Sequence, residues 1–239
     1  MKKIIYFLLS IVPFFTGCAS IYIPSPVNTP LFEDKGEVLI EAGVSTNGIF
    51  ATAGYSFSKK YALIANGNLS FGNFAKFSDI GDLGNSYFGG NDCAHRSVEL
   101  GFGRYNIVNI SGWHLEMFGG ARYGKAHNLD KKHITYESWH LTGFVQANFG
   151  RKIGKHRDIG WASRIDYSYF NTKEIDTKTN EILYENFSRV FLQQFMFFRF
   201  GGEHLKGVIH LGINMKIPPS MNNINHTILH TSIGICYRF

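Results

Sequence analysis

Near the end of the chain His230 and Ser232 are separated by a single residue. On a β-strand residues i and i+2 share a face, so this spacing can bring imidazole beside hydroxyl, the pairing needed to activate a serine nucleophile. Glu41 is the candidate third member that would orient the imidazole. Ile233, Ile235, Tyr237 and Phe239 occupy the opposite face of the same segment, while Gly234 and Arg238 share the face of the pair. The ten histidines raise the question of a metal, but no H-E-x-x-H or paired Cys/His spacing is present, so neither metal nor cofactor is expected. The basic residues are spread along the chain rather than clustered, which argues against a nucleic-acid partner. Gly101 and Gly103 lie within a strand pattern rather than in a phosphate-binding loop.

These residues belong to a chain dominated by period-two alternation from Gly36 onward, the mark of strands with two unlike faces. Ten such segments can be traced. Val38, Ile40, Ala42 and Val44 oppose Glu37, Glu41 and Ser45; Val98, Leu100 and Phe102 oppose Ser97 and Glu99; Ile159, Trp161, Ile165 and Tyr167 oppose Arg164 and Asp166. The polar faces carry Glu41, Glu99, Glu116 and Asp166 against Arg122, Arg164, Arg189, Arg199 and Arg238, with several histidines. Of these, Glu41, Glu99, Arg164 and Asp166 are placed near mid-depth and form the candidate charge network.

A soluble sandwich and a transmembrane barrel both satisfy such a list. The chain has 26 glycines, 22 Phe and 12 Tyr in 239 residues and a mean hydropathy of −0.08. No proline occurs between Leu31 and Ile217. Past residue 15 no apolar run approaches the ~20 residues of a spanning helix. Three features select an antiparallel transmembrane β-barrel of about ten strands, with eight or twelve as the alternatives. Apolar faces begin and end with aromatics, as Trp113 with Tyr123 and Trp139 with Phe149 show, which matches interfacial girdles. Connections alternate between short (58–60, 106–111, 150–157, 201–206) and mostly longer (73–94, 124–137, 171–186, 217–226). The chain closes on Ile233, Ile235, Tyr237 and Phe239, the pattern of a C-terminal membrane-insertion signal read by the barrel-assembly machinery.

Ahead of the barrel, Lys2 and Lys3 precede an apolar stretch, and Phe15-Thr16-Gly17-Cys18 resembles a bacterial lipobox. Residues 1–17 read as a lipoprotein signal peptide, Cys18 as the lipidated residue, 18–35 as an extended, proline-containing tether, and 36–239 as the barrel. Cys93 and Cys236 fall near opposite barrel ends and are expected as free thiols.

The lipobox, Tyr22-Ile23-Pro24, Val27-Asn28, Pro30-Leu31-Phe32, Lys35-Gly36-Glu37, the first three strands and the Phe-terminated last strand resemble a family of Bacteroidota outer-membrane β-barrel lipoproteins with no assigned activity. The resemblance implies a fold and an outer-membrane location, and no chemistry. Ala19 to Tyr22 lack the acidic residues that follow the cysteine in many surface lipoproteins of that phylum, which implies a periplasmic N-terminus with an inner-leaflet lipid. The His230–Ser232 pair is similar to pairs in outer-membrane phospholipase A and lipid A deacylase. Those continue with Asn and face lipid, whereas this pair continues with Ile233 and shares the polar face. The expected function is a structural or binding barrel with a charge-filled, largely plugged lumen and no enzymatic activity. A narrow anion-preferring channel and an outer-membrane lipid hydrolase using His230 and Ser232 are the alternatives. Its partners would be outer-membrane lipids and a ligand or protein meeting loops 73–94 and 171–186.

Overall fold

The computed structural model describes residues 22–46, 48–70, 93–129, 134–176, 178–179, 181–218 and 228–239. The alternating segments become β1 (Val38–Ser45), β2 (Gly48–Tyr55), β3 (Tyr61–Leu69), β4 (Cys93–Arg104), a two-residue β5 (Asn109–Ile110), β6 (Trp113–Leu129), β7 (Ile134–Ile153), β8 (Arg157–Asp176), β9 (Ile182–Gly201), β10 (Leu205–Ile217) and β11 (Leu229–Arg238). Each long strand pairs antiparallel with its sequence neighbour, β4 pairs with β6, and β1 closes on β11. β5 is only an appendage of β6, so the wall is a closed barrel of ten strands. Closure gives every long strand a paired neighbour on both sides, which is what a sheet in hydrocarbon requires.

The outer face is apolar to a degree that water would not tolerate. Leu100 is 71 % exposed, Val145 59 % and Ile165 55 %, and such a contiguous band is the lipid-facing belt of a membrane barrel. Aromatic rings border it on both sides: Tyr61 with Phe102 and Trp113 with Phe149 at the short-turn end, Tyr123, Trp139 and Tyr169 towards the other.

Two expected connections are shorter than the sequence suggests. The 124–137 connection contracts because β6 runs to Leu129 and β7 starts at Ile134; that at 171–186 contracts because β8 runs to Asp176 and β9 starts at Ile182. Polar cross-strand pairs continue the ladders there, Ser138 with Thr172 at 3.0 Å and Asn171 with Asn186 at 2.7 Å. Polar residues such as Thr172 and Glu185 stand there beside Ile182, Leu183 and Tyr184, so the alternation is lost from the sequence while the backbone pairing persists. Most of the 73–94 loop, residues 73–92, lies outside the described residues, and β4 takes up the chain at Cys93.

Residues 22–32 depart furthest from the expected tether. Expected to lead from a lipid to the barrel, they lie inside it. Tyr22, Leu31 and Phe32 have no exposed surface. The segment is extended, in neither helix nor strand beyond a single bridge at Tyr22. Pro24, Pro26 and Pro30 present no N–H to be satisfied in a confined interior. It descends the lumen from Tyr22, between Phe170 and Phe191, past Val27 against Ala162 and Phe195, to Phe32 beside Tyr105 at the short-turn end.

The seam between first and last strands is set by Gly43 opposite Gly234. A Cβ on Gly43 would stand 2.3 Å from the Ile233 carbonyl oxygen, and one on Gly234 2.5 Å from that of Ala42. Gly43→Val is therefore expected to open the seam. On a gel run without boiling, the wild-type protein should migrate as a compact heat-modifiable species, and the variant should lose that species.

Candidate functional site

The interior of the barrel is where the charged residues converge. Arg164 on β8 donates from two guanidinium nitrogens to the two Glu99 carboxylate oxygens of β4, at 2.9 and 2.6 Å, and from Nε to Asp166 Oδ1 at 2.6 Å. Its plane lies 3.8 Å from the centre of the Phe144 ring. Asp166 Oδ2 accepts from Arg122 at 3.1 Å and Gln193 at 2.6 Å, and from the Tyr22 hydroxyl. Arg122 in turn donates to the Tyr22 oxygen, and Asn66 donates to Glu99. Glu99, Arg122, Arg164 and Asp166 are all buried. Two guanidiniums against two carboxylates make the cluster electrically neutral. Neutrality, with every guanidinium nitrogen of Arg164 donating to a carboxylate, is a condition under which buried charge is tolerable.

The wall grips the N-terminal segment at successive levels. Ser25 meets Ser97, Asn68 and Arg122 at 3.0–3.3 Å. Asn28 donates to the Ala53 carbonyl at 2.7 Å, and its own carbonyl accepts from Gln146 and Asn148. Arg199 donates to the Thr29 carbonyl at 2.8 Å and hydroxyl at 2.9 Å. Arg238 donates to the Pro30 carbonyl at 2.6 Å, and the Phe32 amide donates to Glu116 at 2.7 Å. At the rim Glu33 meets Lys152 at 3.0 Å, and Arg238 pairs with Glu37.

Of the four mid-depth residues singled out in the sequence, Glu99, Arg164 and Asp166 meet directly. Glu41 does not join them: it pairs with Arg199 at 3.3 Å, because β1 lies across the barrel from β8. Arg122 and Tyr22 complete the network and were not singled out. The signal for the occupant was on the polar faces, where Phe144, Phe170, Phe191, Phe195 and Phe197 point inward. An apolar interior patch calls for an apolar partner, and Tyr22, Val27, Leu31 and Phe32 supply it.

His230 and Ser232 both face the lumen and are buried, but they are not partnered with each other in the way the i, i+2 spacing suggested. The Ser232 hydroxyl lies 3.0 Å from His210 Nδ1. His210 and Ser232 are directly opposed across β10 and β11, and opposed residues stand closer than residues two apart on one strand. His210 Nε2 then lies 3.5 Å from Glu41. His230 packs its ring against Phe195 instead. Ile233, Ile235, Tyr237 and Phe239 are exposed on the outer face. Cys236 is a buried free thiol, and among the described residues no cluster of metal ligands occurs. Cys18 lies outside the described residues.

No family model matches this chain, and no curated protein does. Among solved structures it is similar to the outer membrane protease OmpT from Escherichia coli, with a TM-score of 0.50 at 9 % identity over 85 % of this chain and 93 % of that one. This chain is an outer-membrane β-barrel by fold. Ail, the attachment invasion locus protein of Yersinia pestis, matches with a TM-score of 0.38 at 12 % identity, covering 86 % of this chain and 99 % of that one. At these identities the shared feature is the barrel itself.

Arg164→Ala leaves Glu99 and Asp166 buried without their common partner and is expected to cost about 3–5 kcal/mol, read as a lowered urea midpoint in detergent micelles. At the rim, burial of Glu37 acts to raise the affinity of its carboxyl for a proton, but Lys152, the amides of Asp34 and Glu33, and Arg238 together hold it below the usual carboxylate range. A carboxyl with a depressed folded value stabilises above its unfolded value, near 4.3, and that stabilisation disappears as the pH falls through the lower folded value. Glu37→Gln should therefore lower stability at neutral pH and flatten its loss on acidification below about pH 4.3.

Proposed function

We propose that this protein is a structural or binding barrel of the bacterial outer membrane, without enzymatic activity, whose lumen is plugged by its own residues 22–32. The observation that carries this reading is the buried hydrogen-bonded path of that segment from Tyr22 to Phe32, held at its loop-side end by Asp166, Arg122 and Gln193. A conduit would need continuous polar space, whereas Phe170, Phe191, Phe195 and Phe144 fill the section around the segment. Ligand or partner contacts then fall at the loop-bearing end, in the 73–94 connection and the hairpin within 171–186.

Stepwise conductance in planar bilayers tests the plug. The intact protein should give none, and a refolded chain lacking residues 19–32 should give openings; discrete anion-selective openings from the intact protein would overturn it.

Lipidation at Cys18 belongs to the same proposal, with its side revised. Tyr22 is four residues on from Cys18, a reach of at most about 14 Å. Tyr22 lies in the loop-side half of the lumen, level with His140 and Phe170, and the chain takes the ten residues from there to Phe32 to reach the short-turn end. An acyl group on Cys18 therefore leaves by the loop-side mouth into the outer leaflet, not by the periplasmic side the N-terminal sequence suggested. An epitope inserted after Ala19 should bind antibody on intact cells; binding only after permeabilisation would restore the periplasmic side.

The Glu41, His210 and Ser232 contacts are the observation that keeps a hydrolase in view. In a plugged barrel they are packing: Ser232 is 6 % exposed, and Arg199 competes for Glu41. A fluorophosphonate probe should leave Ser232 unlabelled in the micelle-bound protein, and labelling abolished by Ser232→Ala would establish the hydrolase instead.

A further inference from the structure

The outer wall carries a second polar feature unrelated to the lumen. Arg96 of β4 and Lys125 of β6 are direct cross-strand partners, and both point outward. Lys125 is in turn opposite Trp139, a member of the loop-side aromatic girdle, so both cations stand at headgroup depth. Like charges placed directly opposite one another repel. Among the described residues no carboxylate pairs with either. The nearby Glu137 is engaged by Lys173 at 3.8 Å and His127 at 3.9 Å.

Towards the bilayer centre from this pair the wall is hollowed. Ala42, Ala51 and Gly67 are consecutive cross-strand partners on β1, β2 and β3, and none of the three carries a side chain larger than methyl. Val98 and Tyr123 continue the row beyond them. The resulting trough has a volume of about 790 Å³, and Arg96 and Lys125 cap it. The same two residues also line a second concavity of about 430 Å³ on the loop side, where His127, Glu137 and Trp139 make a more polar surface. Two cations thus sit at the junction of an apolar trough below and a polar hollow above.

We propose that this surface binds a phosphorylated glycolipid of the outer leaflet, with a phosphate bridging Arg96 and Lys125, an acyl chain in the Ala42–Ala51–Gly67 trough and the sugar in the hollow above. The lipid neutralises the like-charge pair, and the trough accepts a chain where a regular wall would present side chains. The inference rests on the outer-membrane reading, in which the longer connections face outward, but not on the plug. Conductance and lipid binding can therefore fail separately.

Delipidated protein in nanodiscs provides the test, with lipid A, its dephosphorylated form and phosphatidylglycerol as probes in native mass spectrometry. Wild-type protein should retain lipid A in preference to both others. Arg96→Gln with Lys125→Gln should weaken that retention by about tenfold or more. Gly67→Leu should weaken it while leaving the cations in place. A Cβ at Gly67 meets only the Ser97 carbonyl oxygen, at 3.9 Å, so this variant keeps the barrel folded, which heat-modifiable migration verifies. Equal retention of the dephosphorylated form, equal retention of phosphatidylglycerol, or unchanged binding in the double variant would each overturn the proposal.

Discussion

The three-centred clasp of Arg164 by Glu99 and Asp166 is the interaction on which the interior depends. A guanidinium inside a barrel has lost its water, and only a full set of acceptors in fixed geometry makes that loss tolerable. Glu99 satisfies one edge and Asp166 the Nε side. Because Glu99 comes from β4 and Arg164 with Asp166 from β8, the clasp ties together two strands of the wall that lie three apart in the ring. The remaining oxygen of Asp166 is then free to hold Arg122, Gln193 and Tyr22, and so the charge cluster of the wall becomes the anchor of the N-terminal segment.

Below that anchor the segment alternates between apolar and polar demands. Val27 and Phe32 fill gaps between inward phenylalanines, while Asn28, Thr29 and the carbonyl of Pro30 meet Gln146, Arg199 and Arg238. Neither the segment nor the wall is satisfied alone. Without the segment Arg199 would lose both contacts to Thr29, and the inward aromatic rings would face water or empty space. An extended chain with three prolines suits this role, since it carries few N–H groups and needs no ladder of its own.

Outside, the constraints are those of the bilayer. In the apolar belt, small residues on β1, β2 and β3 coincide, and two cations meet at its loop-side edge. Depth gives such a coincidence its meaning: the same pair in a water-exposed hairpin would be ordinary, whereas beside Trp139 it faces lipid headgroups.

The period-two alternation carried the fold. Residue types at alternate positions, with the apolar face bounded by aromatics, made the closed barrel of about ten strands and the inward direction of Glu99, Arg164 and Asp166 legible in the chain; only the structure chose ten over eight or twelve. What alternation cannot express is which strands face each other across the lumen. Glu41 therefore joined Arg199 rather than Arg164, and Ser232 found His210 on the neighbouring strand rather than His230 on its own. Residues 22–32 have no alternation at all, and a proline-containing extended segment reads the same in solvent as in a pore. Only the closed wall, with its inward rings and unspent hydrogen-bond donors, decided that this segment lies inside, because burial there satisfies groups that neither part can satisfy by itself.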